Sequence, residues 1–533
     1  MARIQSRRDF VRDTAAWLAV AQATHWVGLS AADAPGAIAT TSSGRIRGTV
    51  NGGINVFKGI PYGGPTGGKN RFMPPTKPLP WTDVRDALAY GPTAPQALTR
   101  PPRGVPAEGE NCLVLNVFTP ALSTGRRPVM VWLHGGGFST GSGSTAILEG
   151  SNLARTGDVV VVTINHRLNV FGYTYAGAAG GDDFALSGAA GMLDIIAALE
   201  WVHDNIDRFG GDPNLVTIFG QSGGGRKVAT LMAMPKAKGL FHRAIIESGA
   251  VLRLTEKADA VQITDMLMAE LGLAKGQVRQ LQEVAMDRLL AAYAAISPRV
   301  PIREPGQTAN SPTVDGTAIP GHPWDPGAPA LSANIPLLIG WARTEETLYD
   351  RPTPETLALD EDGLRKRASA RLGEDPARVI AAYRTAHPSL TPWDLWILIA
   401  TDHPRGTYSR ETAKRKAAQK AAPAYLYRFD WETPEDGGHM RSPHTVEIPF
   451  VFDNIAIAGP LISKMSEAHD LARKVSASWV GFARTGNPNV PGLPVWPAYN
   501  AATRDTMLFN NASRVTQDPD RVARLAIEQV LKL

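Results

Sequence analysis

Cysteine is almost absent from this chain, since Cys112 is the single cysteine among 533 residues. An intrachain disulfide is therefore excluded, and no cysteine or histidine spacing typical of a zinc site appears. Hydrophobic residues make up 43% of the chain and charged residues 20%, which are ordinary values for a globular protein. At this length the chain can bury a large core without such cross-links.

Long basic runs are missing as well. The formal net charge is +5, which is small for a chain of 533 residues. The longest basic cluster, residues 365–371, lies in a segment with helical periodicity and predicts a solvated helix face. Because nucleic-acid-binding surfaces concentrate lysine and arginine, we do not expect a nucleic acid partner. The oligomeric state stays open.

The N-terminal apolar run, which reaches Leu29, is too short to span a membrane, and polar residues interrupt it. It follows the twin-arginine pattern SRRDFVR at residues 6–12 and precedes small residues at 32–34 that suit cleavage. We therefore expect residues 1–34 to be a signal peptide for bacterial twin-arginine export to the periplasm or the exterior, without stable membrane association. The alternative is an ordinary amphipathic N-terminal helix.

Strand-like and helix-like segments alternate over most of the chain. Short apolar runs at residues 37–56, broken by Ser-Gly and Asn-Gly-Gly, predict an antiparallel β opening. Further runs of strand type lie at residues 113–118, 128–133, 158–164, 215–219, 244–247, 335–339 and 424–429. This rhythm predicts an α/β fold with a mostly parallel central sheet and helices on both faces. We expect one domain over residues 35–533, with helical insertions at about 250–330 and 345–422 that cap the sheet and shape a pocket.

A serine lies between a predicted strand and a predicted helix in the segment LVTIFGQSGGGRKVAT, residues 215–230. The pattern G-x-S-x-G around Ser222 is that of a nucleophile elbow. A hydroxyl that attacks a carbonyl has to project from a sharp turn, and small neighbours leave room for the turn and for the substrate. The start of the following helix supplies N–H groups and a positive dipole end near a developing oxyanion. The alternative is a glycine-rich turn that contains an incidental serine.

Three consecutive glycines, residues 135–137, follow the predicted strand that ends at Leu133. Because no side chains intervene, their backbone N–H groups can approach a ligand oxygen closely, as in an HGGG-type oxyanion loop. Gly136 and Gly137, together with Gly223 after the serine, form the predicted oxyanion hole. The alternative is a flexible loop, which the position at a strand end before the serine elbow disfavours.

Seven motifs extend over nearly all of the chain after the predicted signal peptide. They are FKGIPY (57–62), RFMPP (71–75), ENCLVLNVFTP (110–120), HGGGF (134–138), ALEWVHDNIDRFGGDPNLVTIFGQSGGG (198–225), FHRAIIESG (241–249) and FARTGNPN (482–489). In these motifs the chain resembles the type B carboxylesterases, the α/β-hydrolase family that includes the cholinesterases. The resemblance implies an α/β-hydrolase fold and a serine carboxylic-ester hydrolase that acts on a small-molecule ester through an acyl-serine intermediate. It implies no metal or cofactor.

The resemblance also implies which residue is the triad acid. The family has a pattern like G-x-x-x-D-E-G after a strand, and GWARTEE at residues 340–346 matches it, so Glu345 takes the place of the acid. Thr344 and Glu346 replace the usual aspartate and glycine. Because of these departures Glu346 stays an alternative to Glu345 as the triad acid. The interpretation without a catalytic role is that either glutamate is a surface residue at a helix start.

The triad base is implied in the same way. The family's H-x-x-E-x-x-F-V-F matches HTVEIPFVF at residues 444–452, which makes His444 the base that takes the proton of Ser222. Glu345 would then hold the imidazole in the right tautomer. His439 lacks the downstream pattern and is expected to be a loop histidine.

Two residues within the motifs HGGGF and GQSGG, Phe138 and Gln221, are predicted to contact the substrate. The family often has glutamate before the serine and alanine after it, whereas this chain has Gln221 and Gly223. A neutral Gln221 removes a negative charge from the floor of the pocket. We therefore expect cationic, choline-like substrates to be disfavoured.

Three further departures concern a lost disulfide and two added charges. Cys112 matches a disulfide position of the family, but its partner is absent, so the loop must be held otherwise. Arg226 and Lys227 follow the elbow. Either they attract a carboxylate on the substrate, or they pair with acidic residues along the helix or reach solvent; the second interpretation is the simpler one.

Rival functions stay open at this point. One is an adhesion or binding protein on the same fold, as in family members that have lost the nucleophile, although all three triad residues are present here. Others remain within enzymes: a lactonase, an amidase, or a specialised esterase for a polycarboxylic or toxin-like ester. The sequence does not identify the physiological ester, because the pocket is shaped by insertions whose side-chain directions no spacing rule gives.

Overall fold

The computed structural model describes residues 34–96, 104–122, 125–303, 307, 309–373, 375–459, 462 and 466–533. The predicted signal peptide lies outside these residues apart from its last residue, and it stays a prediction that N-terminal sequencing of the exported protein tests. The strands in the described residues are β1 (Ala34–Thr41), β2 (Gly44–Asn51), β3 (Ile54–Pro61), β4 (Val84–Asp86), β5 (Val114–Thr119), β6 (Arg127–Leu133), β7 (Val160–Ile164), β8 (Gly211–Gln221), β9 (Arg243–Glu247), β10 (Thr255–Glu256), β11 (Thr313–Val314), β12 (Leu337–Ala342), β13 (Ala424–Phe429), β14 (Asp505–Phe509) and β15 (Arg514–Gln517).

Helices connect most of these strands. The α-helices in the described part of the chain are α1 (Ser151–Gly157), α2 (Asn169–Tyr173), α3 (Gly177–Gly180), α4 (Ala190–Asn205), α5 (Gly223–Leu231), α6 (Lys257–Glu270), α7 (Met286–Ile296), α8 (Pro354–Leu357), α9 (Glu361–Leu372), α10 (Pro376–Ala386), α11 (Pro392–Thr401), α12 (Thr407–Ala418), α13 (Ile448–Val451), α14 (Ser466–Thr485) and α15 (Arg521–Val530). The two insertions predicted from the sequence contain α6 and α7, and α8 to α12.

One large sheet organises the molecule. Among the described residues, thirteen strands join in the order β1-β2-β3-β5-β7-β6-β8-β9-β12-β13-β14-β15, with β4 beside β2. From β7 to β14 every neighbouring pair is parallel, whereas the pairs at both margins are antiparallel, apart from the short strand β4, which runs parallel to β2. The predicted mostly parallel sheet and the antiparallel opening are thus confirmed. The seven predicted central strands are β5, β6, β7, β8, β9, β12 and β13.

The central strands of the sheet are buried on both faces, which explains their largely apolar sequences. Side chains alternate along a strand, so β6 contributes Val129 and Val131 to one hydrophobic cluster and Met130 and Trp132 to another. The first cluster includes apolar residues of α4, and the second includes apolar residues of α14. Helices therefore cover both faces, as a parallel sheet requires.

One helical stretch in the described residues, Asp182–Phe209, is long and apolar enough to cross a membrane. Its most apolar window is 78% buried inside the fold. The stretch contains α4, which packs on the sheet, so its apolarity has the character of a core helix.

Hydrogen bonds hold the segment before Cys112, where the resemblance implied a missing disulfide. Gly109 N–H donates to the Thr93 carbonyl at 2.9 Å, and Gln96 N–H donates to the Glu108 carboxylate at 2.8 Å. The Cys112 thiol is fully buried. Burial, with the nearby Asp194 carboxylate, raises the pKa of the Cys112 thiol to about 12.

Candidate active site

Ser222 lies in the turn between β8 and α5, with φ +57° and ψ −120°. A positive φ is uncommon for a residue with a side chain, and such strain clusters at functional turns. The turn is held by backbone hydrogen bonds, because Ser222 N–H donates to the Glu247 carbonyl (2.8 Å) and Arg226 N–H donates to the Ser222 carbonyl (3.0 Å). The serine therefore has the strand–turn–helix setting that its motif predicts.

The glycines after Ser222 pack directly on the backbone of the strand end beside them. A Cβ at Gly223 would lie 2.1 Å from Gly137 O and 2.4 Å from Gly137 N, and a Cβ at Gly224 would lie 1.9 Å from Leu133 O. The predicted donors Gly137 and Gly223 are therefore neighbours in space. An alanine at position 223, which the family often has, would require the backbone at Gly137 to move.

The segment from His134 to Phe138, which we call the glycine loop, follows β6. Gly136 and Gly137 have φ values of +88° and +63°, which glycine adopts at little cost. The Gly136 carbonyl accepts hydrogen bonds from Ser139 N–H at 3.2 Å and Thr140 N–H at 3.0 Å. The loop is thus a defined turn, and the alternative of a flexible loop has no support in these contacts.

Lys227 supports the glycine loop from α5. Its side chain is fully buried, and Nζ donates to the His134 carbonyl at 2.9 Å and to the Gly137 carbonyl at 3.0 Å. Nζ also lies 5.7 Å from the centre of the Phe138 ring. Both sequence-based interpretations of Lys227 were wrong, because its side chain has no exposed surface to meet solvent or a substrate carboxylate, and it forms no ion pair among the described residues. Helical spacing alone does not distinguish such a buried lysine from an exposed one.

His444 and Glu345 meet at the carboxyl ends of two neighbouring parallel strands, β13 and β12. His444 Nδ1–H donates to Glu345 Oε2 at 2.6 Å, and the two side chains are 2% and 0% exposed. Glu346 instead pairs with Arg405 at 3.0 Å and with Arg371 at 3.8 Å. The geometry therefore favours Glu345 over Glu346 as the acid partner of the histidine.

Arg405 is a member of this cluster that the sequence did not indicate. Its Nε lies 3.2 Å from Glu345 Oε2, so one guanidinium contacts both neighbouring glutamates. The guanidinium also lies 4.8 Å from the centre of the Tyr349 ring, which is itself 5.5 Å from the His444 ring. Arg405 comes from the turn between α11 and α12, and no local motif marks that turn.

The buried charges set the protonation states of the pair. Burial lowers the pKa of His444, Glu345 raises it, and Arg405 and Arg226 lower it, so that it lies below its ordinary value. Burial raises the pKa of Glu345, but the charge and hydrogen bond of His444 and the charge of Arg405 outweigh this, so that it also lies below its ordinary value. At neutral pH the glutamate is a carboxylate and the histidine is neutral, as a general base must be.

The two predicted substrate contacts are both nearly inaccessible. Gln221 Nε2 lies 3.3 Å from Nδ1 and 3.4 Å from Nε2 of His444, which brings the imidazole to the residue next to Ser222. Phe138 packs edge-on against Tyr173 with a ring separation of 5.2 Å. Their contact with substrate stays a prediction, and the structure gives Gln221 a further contact with the histidine.

Two more carboxyl groups are buried close to this pair. Ser248 Oγ donates to Glu447 at 3.1 Å, and Glu247 accepts from Trp479 Nε1 at 2.8 Å. Burial raises the pKa of Glu247 to about 8, and burial together with Glu247 raises that of Glu447 well above its ordinary value. Glu247 is therefore mostly protonated at neutral pH and adds little charge to the site. Glu247 and Ser248 lie in the motif FHRAIIESG and Glu447 lies in HTVEIPFVF, but no role was predicted for any of them from the sequence.

A serine elbow after a central strand, followed by a glutamate and a histidine on loops after two further strands of the same parallel sheet, defines an α/β-hydrolase. Comparison with known proteins narrows this class. The model of the Carboxylesterase family matches residues 35–525. The chain belongs to this family and is a carboxylic ester hydrolase, as the resemblance in its motifs implied.

Similar proteins span nearly the same length. The chain is 37% identical over 495 residues to para-nitrobenzyl esterase of Bacillus subtilis, covering 91% of this chain and 97% of that protein. It is 33% identical to phenmedipham hydrolase of Pseudarthrobacter oxydans, covering 91% of this chain and 98% of that protein. Among solved structures, carboxylesterase EST55 of Geobacillus stearothermophilus aligns with a TM-score of 0.81 and 37% identity over 92% of this chain and 99% of that chain.

Proposed function

We propose that the protein hydrolyses its ester through a triad of Ser222, His444 and Glu345, with an acyl-serine intermediate. The observation that carries the proposal is the buried hydrogen bond of 2.6 Å between His444 Nδ1 and Glu345 Oε2 at the sheet end that also bears the Ser222 elbow. Such a bond fixes the tautomer that leaves Nε2 free to accept a proton. The backbone N–H groups of Gly136, Gly137 and Gly223 are the proposed oxyanion hole.

The proposed reaction has two halves. Ser222 Oγ bonds to the ester carbonyl carbon while its proton passes to His444, and the carbonyl oxygen becomes an oxyanion that the three N–H groups stabilise. The C–O bond to the alcohol then breaks, His444 returns the proton to the leaving oxygen, and the acyl group stays on Ser222. In the second half, water attacks the acyl-serine while His444 takes its proton. The bond to Ser222 Oγ then breaks, His444 returns the proton to Ser222, and the carboxylic acid is released.

Uncharged esters are the proposed substrate class. Gln221 replaces a glutamate that the resemblance places beside the serine, so a cationic alcohol finds no partner charge there. The name of one relative adds an aromatic alcohol as a starting point, because that relative is a para-nitrobenzyl esterase. Benzyl and p-nitrophenyl esters are therefore the first substrates to test.

The test combines turnover with trapping of the nucleophile. Wild-type protein is expected to hydrolyse p-nitrophenyl and p-nitrobenzyl esters, and a fluorophosphonate should stop turnover by bonding once per chain to Ser222, as peptide mass spectrometry reports. Turnover that persists after full phosphonylation would contradict the proposed nucleophile. A protein that is inert toward every ester, including carboxylated and bulky ones, would instead favour the binding-protein alternative.

The pH profile is expected to show a single acid limb below about pH 6. The reason is that His444 must be neutral to take the serine proton, and its pKa lies below the ordinary value of about 6.5. Protonation therefore removes activity as pH falls through that lowered pKa, by roughly tenfold per pH unit. The measurement is kcat/KM for p-nitrophenyl acetate as a function of pH. An acid limb centred above about pH 7 would contradict the assignment of a buried His444 as the base.

A further inference from the structure

Lys227 is one of the buried groups beside the site for which the proposed reaction has no role. Its side chain has no exposed surface, and its nitrogen lies between two backbone carbonyls of the glycine loop. Burial and the neighbouring Arg226 lower the pKa of Lys227 to about 7. Burying an amine is unfavourable unless its hydrogens are bonded, and two bonds of 2.9 and 3.0 Å provide this. The cost of placing a lysine here indicates that the bonds serve the loop.

The loop carbonyls that Lys227 does not hold are bonded by the loop itself. His134 Nδ1 lies 2.9 Å from the Gly135 carbonyl, and burial lowers the pKa of His134 to about 3, so the ring is neutral and donates this proton. The Gly136 carbonyl accepts hydrogen bonds from the N–H groups of Ser139 and Thr140, which directly follow the loop. With the two bonds to Lys227, all four carbonyls from His134 to Gly137 have donors.

Fixed carbonyls imply fixed N–H groups. The atoms of a peptide unit share one plane, and its C=O and N–H point in opposite directions, so a donor on the carbonyl sets the direction of the N–H. An oxyanion hole works only when its donors are oriented before the charge develops. The N–H of Gly136 shares its plane with the Gly135 carbonyl, which His134 Nδ1 holds. The N–H of Gly137 shares its plane with the Gly136 carbonyl, which two backbone N–H groups hold. Lys227 holds the carbonyls of the two peptide units that flank these, so it fixes both ends of the segment, in which glycine itself places few limits on φ and ψ.

We propose that Lys227 is a positioning residue that holds the glycine loop in its oxyanion-binding conformation. The inference rests on the proposed role of Gly136, Gly137 and Gly223 as oxyanion donors. The side-chain nitrogen acts through the two carbonyls that accept its hydrogen bonds, and its proposed role needs no contact with the substrate. Its effect should therefore fall on the tetrahedral intermediate, where the N–H groups carry charge, and leave ground-state binding largely unchanged.

The test replaces Lys227 by methionine, which keeps an unbranched buried chain and removes the donors. We expect kcat for p-nitrophenyl acetate to fall about 10- to 100-fold with KM changed less than about threefold, since losing one whole oxyanion donor costs about 10²–10³. A trifluoromethyl ketone, whose adduct with Ser222 carries an oxyanion, should bind more weakly by a similar factor. Benzyl alcohol, a competitive ligand without an oxyanion, should bind equally well to both proteins.

The chain offers a matched control in Lys416. This lysine of α12 is also fully buried, and its Nζ donates to the Ser332 carbonyl at 2.8 Å and the Ala333 carbonyl at 2.7 Å, away from the site. Lys416→Met should lower the melting temperature, as Lys227→Met does, but leave kcat and ketone affinity unchanged. If Lys227→Met fails to fold, Lys227→Gln, which keeps an N–H donor, is measured in the same way and should give a smaller loss of kcat.

The outcomes separate this inference from the proposed function. A wild-type protein that binds no trifluoromethyl ketone would contradict the serine mechanism itself. A wild type that binds the ketone and a folded Lys227 variant with unchanged kcat and ketone affinity would overturn the role of Lys227 alone. Equal losses for the ketone and benzyl alcohol would also overturn it, because they would show general collapse of the site.

Discussion

Replacing Ser222 by alanine is expected to lower kcat for ester hydrolysis roughly 10⁶-fold, the loss seen when a triad serine is removed. The alanine Cβ occupies the position of the serine Cβ at the same strained φ of +57°, so the elbow should keep its shape while the attacking oxygen is lost. The measurement is turnover of p-nitrophenyl acetate by highly purified protein, accompanied by the melting temperature.

Ser369→Ala is the control for this experiment. Ser369 lies on α9, is exposed, and donates only to the Arg365 carbonyl one turn back, at 2.8 Å. Its replacement should leave both kcat and fluorophosphonate labelling unchanged. A Ser222→Ala protein that is folded and retains more than about 1% of wild-type kcat would show that another group attacks the ester.

Replacing Glu345 by glutamine is expected to lower kcat roughly 10³- to 10⁴-fold. The amide has nearly the shape of the carboxylate, but it no longer stabilises the imidazolium, and its NH₂ group favours the wrong histidine tautomer. The Glu345 side chain has no exposed surface, so bulk solvent does not reach the position of the carboxylate. The measurement is kcat with wild-type, Glu345→Gln and Glu346→Gln proteins side by side.

Glu346→Gln is the matched comparison because the sequence left the two glutamates as alternatives. Glu346 pairs with Arg405 and Arg371 and has no contact with His444 among the described hydrogen bonds and ion pairs. Its replacement should lower kcat at most about tenfold, because Arg405 would lose one of its two carboxylate partners and be held less firmly. The reverse order of effects, with the larger loss at position 346, would assign the acid to Glu346. Melting temperatures of both variants separate catalytic loss from unfolding.

Much of the fold and site was predictable because the signals are local. The central strand β6 is an unbroken apolar run after Arg127, and this pattern arises from burial on both faces. Ser222 and the glycines around it are marked by the close backbone approaches that leave no room for side chains. The strand β15 has no such signal, since its residues are exposed or half-buried at the sheet margin.

The supporting residues were not predictable because they depend on contacts between distant segments. Arg405 reaches Glu345 only once α12 packs beside β12, and its own segment carries no motif. Lys227 differs from Arg405, because the sequence showed its position next to the elbow motif but not the direction of its side chain. Which side of a helix a lysine takes is decided by tertiary packing, so the same sequence pattern is compatible with solvent, an acidic partner or backbone carbonyls.

The buried thiol of Cys112 can report local opening of the fold. Cys112 has no exposed surface and its pKa is raised to about 12, so a thiol reagent can modify it only after β5 and its neighbours separate. The rate of modification under native conditions then measures how often this part of the sheet opens. It also means that a cysteine introduced on the surface would be the one fast-reacting thiol in the described fold, which allows site-specific attachment of a dye or a support without first removing a native cysteine.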